Sequence, residues 1–227
     1  GSWTCPACGG SRLRAVTVGA GRTAEELGRA FPGVPVIWSQ ATRMVREVSD
    51  APAVVVATPG AEPQAEAGYR AVVLLDARHA YPSLSGGEQQ VRRWFAAARL
   101  VRPEGRVCVV ADAATPEVQA LVRWDSRWYA ERQIDERITA GLPPVTRIAE
   151  LTGPTAVVDA FTRQLTVEHR VLGPVPVPDS SDVRSFVVVP RSIGAAFTRE
   201  VGAILRTASA QESALREVRV RMDPRDM

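Results

Sequence analysis

Apolar residues in the first part of the chain come in short, unalternating runs separated by stretches with a helical repeat. Runs at 53–57 (Ala-Val-Val-Val-Ala) and 71–75 (Ala-Val-Val-Leu-Leu), with others at 14–19, 34–38 and 106–111, have the composition of strands buried on both faces. Helical patterns occupy 23–31, 41–48, 87–101 and 126–139, and a further helix opens after Thr115-Pro116. Thr23 and Glu26 have the spacing of a capping box, and Pro32-Gly33 stops that helix. Thr115 reads as an N-cap followed by proline at the first helical position. Strand and helix in alternation predict a parallel sheet flanked by helices.

After Pro143-Pro144 the pattern changes. Strands are predicted at 147–151, 171–175, 184–189 and 217–222, with helices at 154–168 and 193–208 and a Pro/Ser/Asp loop at 175–182. This βαββαβ order predicts a small α+β, ferredoxin-like domain. The expected organisation is a short N-terminal remnant at 1–13, an α/β domain at 14–142 and the ferredoxin-like domain at 143–227.

Composition narrows the chemistry. The 227 residues are 45% hydrophobic, enough for a core, and no apolar run reaches the length of a membrane span. Gly1-Ser2 reads as a tag remnant, so the chain is expected to begin inside a longer protein. The net charge is +3, with the charges interspersed, which permits nucleic-acid binding without arguing for it. Every basic residue is arginine, and lysine and asparagine are absent, as in a high-GC coding sequence. That excludes a phosphate-gripping lysine, a Schiff base and a lysine general base. Three cysteines, two of them in one C-x-x-C, suit a reducing cytoplasm better than a disulfide scaffold.

Cys5-Pro-Ala-Cys8-Gly-Gly is a zinc-knuckle turn, offering two thiolates to one metal. It supplies half of a four-cysteine site, and Cys108 lies in a predicted strand. The Gly19-Ala-Gly21 turn before a helix is a weak phosphate-binding signal. His79 and His169 have no partner pattern for a metal or a triad; they read as a loop residue and a helix-end cation.

Taken together and in order, these marks resemble the primosomal protein N′ (PriA) family of replication-restart helicases, in the degenerate form found in high-GC actinobacteria. Cys5 to Gly10 is similar to the last of the family's zinc-binding cysteine pairs. Val18-Gly-Ala-Gly-Arg-Thr-Ala-Glu-Glu-Leu27, followed by Phe31-Pro-Gly33, resembles the opening of its second RecA-like lobe. Val55-Val-Ala57-Thr58 and Leu74-Leu-Asp76-Ala77 resemble two strand ends of that lobe. Tyr129 through Pro144, with Glu131, Glu136, Arg137 and Gly141-Leu-Pro-Pro, resembles the segment leading out of it. Val171-Leu-Gly-Pro-Val-Pro176 and Val220-Arg-Met-Asp-Pro224 resemble marks of the C-terminal domain.

The departures matter as much. In the family, the loop after the first strand end links nucleotide to DNA through lysine, histidine and aspartate; here it is Pro59 through Tyr69, without those residues at their places. The second aspartate after Asp76 is Arg78, and the glycine-rich arginine-finger helix is replaced by Ala96-Ala-Ala-Arg99-Leu-Val-Arg102-Pro103. Loss of an arginine finger costs roughly 10³–10⁵ in rate. Arg99 and Arg102 are the residues left at the degenerate helicase positions, with Asp76 a strand-end residue.

The resemblance therefore implies a DNA-binding primosome component that recognises forked or single-stranded DNA and recruits partners. Its helicase lobe would be kept as scaffold. The alternative is an active ATP-dependent 3′–5′ DNA helicase whose first lobe lies outside this chain, and a weaker one is a nucleotide-binding enzyme unrelated to DNA. Candidate contacts with DNA or partners are Arg184, Arg191 and Arg199, with Trp124 and Trp128 as stacking platforms. Zinc on Cys5 and Cys8 is expected in the intact protein, and ATP only if helicase chemistry survives. Implied partners are DNA, single-stranded-DNA-binding protein and other primosome proteins. The expected setting is the cytoplasmic nucleoid, and the expected form a monomer with no membrane association.

Overall fold

A computed structural model describes residues 19–75 and 83–224. They are mixed α/β and divide into two compact units, one of residues 19–75 with Arg92–Ala111, the other of residues 83–91 with 112–224. The Cys5–Cys8 knuckle, Asp76, His79 and most of the strand predicted at 14–19 lie outside the described residues.

In the first unit, helix α1 (Ala20–Ala30) starts earlier than the Thr23 capping box predicts. Gly19 is the N-cap, and its carbonyl accepts the N–H groups of Arg22 and Thr23 at 3.0 and 3.2 Å. Thr23 is thereby placed inside the first turn. Glu26 turns to Arg22 in an exposed i,i+4 ion pair at 3.0 Å rather than back to a cap.

Three parallel strand pairs make up the rest of this unit. β1 (Val36–Ser39) pairs with β3 (Val54–Ala57), β2 (Glu47–Val48) with β4 (Gln64–Ala65), and β5 (Tyr69–Leu74) with β6 (Val101–Val109). Parallel pairing follows the sequence pattern, but among the described residues no hydrogen-bonded ladder joins the three pairs into one sheet.

The helix predicted at 41–48 is not formed. Gln40 and Arg43 close a turn with bonds of 3.2 and 2.9 Å, and the buried Ser39 hydroxyl accepts the Val45 N–H at 3.0 Å. The chain then leaves as β2. An eight-residue helix pays the full nucleation cost for few propagating bonds, so side-chain anchoring of the turn wins. Helix α2 (Gly86–Ala98), predicted to run to 101, stops at Ala98. Pro103 biases Arg102 toward extended backbone, and the Leu100 carbonyl accepts the Tyr69 N–H at 2.8 Å, so Val101 and Arg102 open β6 instead.

After the first residues of α2, the second unit continues with α3 (Pro116–Arg123) and α4 (Ser126–Ala140). There follow β7 (Thr146–Gly153), α5 (Thr155–Arg163), β8 (Arg170–Pro176), β9 (Val183–Pro190), α6 (Gly194–Ala210) and β10 (Arg219–Met222). The sequence break at 142 therefore falls within this unit, which also takes in α3 and α4.

The four strands form one antiparallel sheet in the order β10-β7-β9-β8. Alternation places Ala149, Leu151, Val187 and Val189 on the face packed against Val158 and Phe161 of α5 and Phe197, Val201 and Ile204 of α6. Full burial of each large side chain is worth about 1.5–3 kcal/mol. Helix α5, predicted to reach 168, ends at Arg163 because the Glu200 carboxylate captures the N–H groups of Thr166 and Val167 at 2.7 and 3.3 Å. β8 carries a register shift between Leu172 and Val175, where Gly173 adopts φ +108°. A Cβ there would stand 2.9 Å from the Arg184 carbonyl, so only glycine fits.

Candidate nucleic-acid interface

Residues directly opposed across an antiparallel pair project to the same side. The ladder register therefore builds the sheet face opposite α5 and α6. Glu150 of β7 stands opposite Arg221 of β10 and Phe186 of β9, and Phe186 opposite Leu172 of β8. One step along, Thr152 stands opposite Arg219 and Arg184, and Arg184 opposite Val175.

Glu150 is buried, its side chain only 5% exposed, yet it carries a carboxylate. Arg184 Nε lies 3.1 Å from Oε1 and Arg221 Nη1 3.6 Å from Oε2. Removing one partner of such a buried charge costs far more than an exposed ion pair is worth. At the edge, Arg219 Nη2 contacts Asp182 Oδ2 at 2.8 Å. Arg184 Nε and Glu150 Oε2 are buried without a hydrogen bond, so Glu150 holds its two arginines by charge rather than by hydrogen bonding.

The residues singled out from sequence do not share one surface. Arg184 belongs to the sheet face opposite α5 and α6, where Ile148 and Val188 are buried, whereas Arg199 is exposed on α6, which covers the other face. Arg191, in the 3-10 turn before α6, donates to the Pro144 carbonyl at 3.1 Å. Trp124 is the left-handed C-cap of α3, φ +54°, and is 54% exposed. Trp128 lies in the first turn of α4 with the Arg123 guanidinium 4.9 Å from its ring centre. Glu131, Arg132, Asp135 and Glu136 line the hollow beside it. Arg127 pairs with Glu131 at 2.8 Å and Arg132 with Glu136 at 3.0 Å, so the hollow carries little net charge, and the Arg123 cation already covers a ring face.

Arg99 is exposed just after α2, and Arg102 begins β6, 3.9 Å from Glu104. In the parallel pair this is the end where β5 starts at Tyr69; the carboxyl end of β5, Leu74, is about 17 Å further along by strand rise. The loop from Pro59 to Tyr69 is tightly held. Ala61 and Pro63 are buried, the Ser39 hydroxyl donates to the Ala61 carbonyl at 2.6 Å and the Tyr69 hydroxyl to the Pro63 carbonyl at 2.9 Å.

Two residues of the Tyr129–Pro144 segment have structural work. Tyr129 is buried and donates to Glu117 at 2.9 Å; burial first, then that carboxylate, raises its pKa. Arg137 ties α4 to the start of α2 through Glu88 at 2.6 Å and the Leu84 carbonyl at 2.8 Å.

Sequence reasoning missed Glu150, Arg219, Arg221 and Phe186 as members of a site. The only local signal was a lone glutamate in an apolar strand. Among the described residues no three potential metal ligands come together, and no helix is long and apolar enough to cross a membrane.

Residues 139–225 match the family model described as the primosomal protein N C-terminal domain. A probable replication restart protein PriA of Mycobacterium tuberculosis (strain CDC 1551 / Oshkosh) is 41% identical over 246 residues, covering 97% of this chain and 37% of the relative. The like-named protein of Mycobacterium leprae (strain TN) is 48% identical over 181 residues, covering 77% of this chain and 28% of the relative. The matched span is thus only 37% of the length of the first of these curated relatives and 28% of the second.

Proposed function

The chain belongs to the C-terminal part of the PriA replication-restart family, and from that premise we propose that it is a DNA-binding primosome component whose helicase lobe serves as scaffold. The replication-restart role comes with the family; recognition of forked or single-stranded DNA and recruitment of partners are the proposal. The observation that carries it is the matched C-terminal domain, whose sheet face opposite α5 and α6 presents the partly exposed Arg184, Arg219 and Arg221.

The strand order β10-β7-β9-β8 with helices on one face supports a ferredoxin-like reading of residues 143–227. Parallel pairing in the first unit supports a RecA-derived lobe over residues 14–142. The loss of helicase chemistry is supported by the Pro59–Tyr69 loop, which spends its polar groups on folding. Cys5 and Cys8 are two of the four thiolates a zinc knuckle needs. Partners by the same reading are single-stranded-DNA-binding protein and primosome proteins, at the nucleoid, with the protein as a monomer.

DNA-stimulated ATPase activity of the full-length protein tests the scaffold reading. The expected result is forked-DNA binding that weakens steeply with salt and no DNA-stimulated turnover. Turnover at the rate of an intact helicase, lost on changing Arg99 or Arg102, overturns it in favour of an active ATP-dependent helicase.

A further inference from the structure

We propose that a single DNA strand lies against the sheet face opposite α5 and α6, at the end away from the buried Ile148 and Val188, its bases on the half-buried Phe186 and Leu172 and its phosphates on Arg184, Arg219 and Arg221. This rests on the DNA-binding reading above and assigns it a surface.

The placement follows from the register. Three strand spacings of about 4.8 Å separate β10 from β8, so the face is about 14 Å across. That is the width on which a four-stranded sheet stacks two or three bases. The row Arg221, Glu150, Phe186, Leu172 sets a cation at one edge and an apolar, partly exposed surface in the middle and at the other edge. The neighbouring row adds Arg219 and Arg184.

The charge is complementary to phosphate. Arg170, exposed on β8, brings the face to four arginines against the three carboxylates Glu150, Asp182 and Glu168, the last beside Arg170 and Val188. Glu150 is a positioning residue. Its buried carboxylate holds Arg184 and Arg221 over the sheet, so two cations are ordered before any ligand arrives. The phosphate backbone of an unpaired strand supplies what these donors lack, and unpaired bases alone present π-faces to Phe186. A duplex hides those faces, so the surface favours single strands.

The test is fluorescence anisotropy of the chain with a labelled single-stranded oligothymidylate and with a blunt duplex, over a range of salt. Circular dichroism checks that each variant is folded. The unaltered chain is expected to bind the single strand more tightly than the duplex. The pair R219Q/R221Q is expected to make the log–log salt slope shallower by about 1.4, two phosphate contacts at about 0.7 each. The volume-conserving F186L is expected to weaken binding about tenfold, within the range of one lost stack. R191Q/R199Q, away from this face, is expected to bind as the unaltered chain does.

Binding undisturbed by R219Q/R221Q and F186L but lost in R191Q/R199Q overturns the sheet face while DNA binding itself stands. No binding to any DNA by the unaltered chain overturns both. Iodouridine photo-crosslinking followed by peptide mass spectrometry gives an independent readout. Adducts on the peptide bearing Phe186 support the proposal, and adducts confined to α3 and α4 overturn it.

Discussion

Glu200 shows how much one carboxylate can organise. Burial raises its pKa, but the Thr166 hydroxyl, the N–H groups of Thr166 and Val167, and nearby His169 together outweigh that and hold it below the usual value of 4.5. A carboxylate depressed on folding contributes stability that is present above its unfolded pKa and lost as pH falls through the folded one. The chain is therefore expected to lose stability on acidification below about pH 4.5, and Glu200→Gln to flatten that dependence. Denaturant melts at pH 7, 4.5 and 3.5 check this; parallel curves for both proteins would refute it. Glu200 lies on α6 and its partners just past α5, so nothing local in the sequence announces the contact. Glu150 was hidden in the same way. A glutamate in Ile-Ala-Glu-Leu-Thr reads as one solvent-facing position, and only the register brings Arg184 and Arg221 to it.

Elements were readable where they ran long. The eight-residue β7 and β9 carry apolar runs buried on both faces, and their central residues match the predicted strands closely. Short pieces were not. Residues 41–48 have a helical pattern but end as a turn and a two-residue strand, because the decisive partner, Ala61, lies 22 residues from Ser39. Ser39→Ala removes the bonds to the Ala61 carbonyl and the Val45 N–H and leaves both groups short of a partner. An expected cost of about 1–3 kcal/mol follows. Faster amide exchange at 40–48 and 59–65 is expected, and unchanged exchange there would show that the hydroxyl does not hold the loop.

At the scale of the molecule, the described residues divide into two compact units. The switch from parallel to antiparallel pairing was visible as a change of pattern near 142. The contacts of Arg137 and Tyr129, which tie α4 to Leu84 and Glu88 and to α3, have no sequence period. The buried cluster of the antiparallel sheet runs from Ala149 to Val218 and draws on no residue before β7. Residues 143–227 alone are therefore expected to fold cooperatively. A single sharp thermal transition with dispersed amide resonances would bear this out, and a broad melt would show that α3 and α4 are required.

The two outer strands of that sheet have a consequence for life in a crowded solution. β8 carries Pro174 and Pro176, which have no N–H to offer, and its glycine bends the ladder out of register. β10 is four residues long and alternates Arg219 and Arg221 with its apolar residues. Neither margin is a good template for a strand from another molecule. The sheet thus keeps its edges closed to its own copies, and its outer strands do not become a route to fibres.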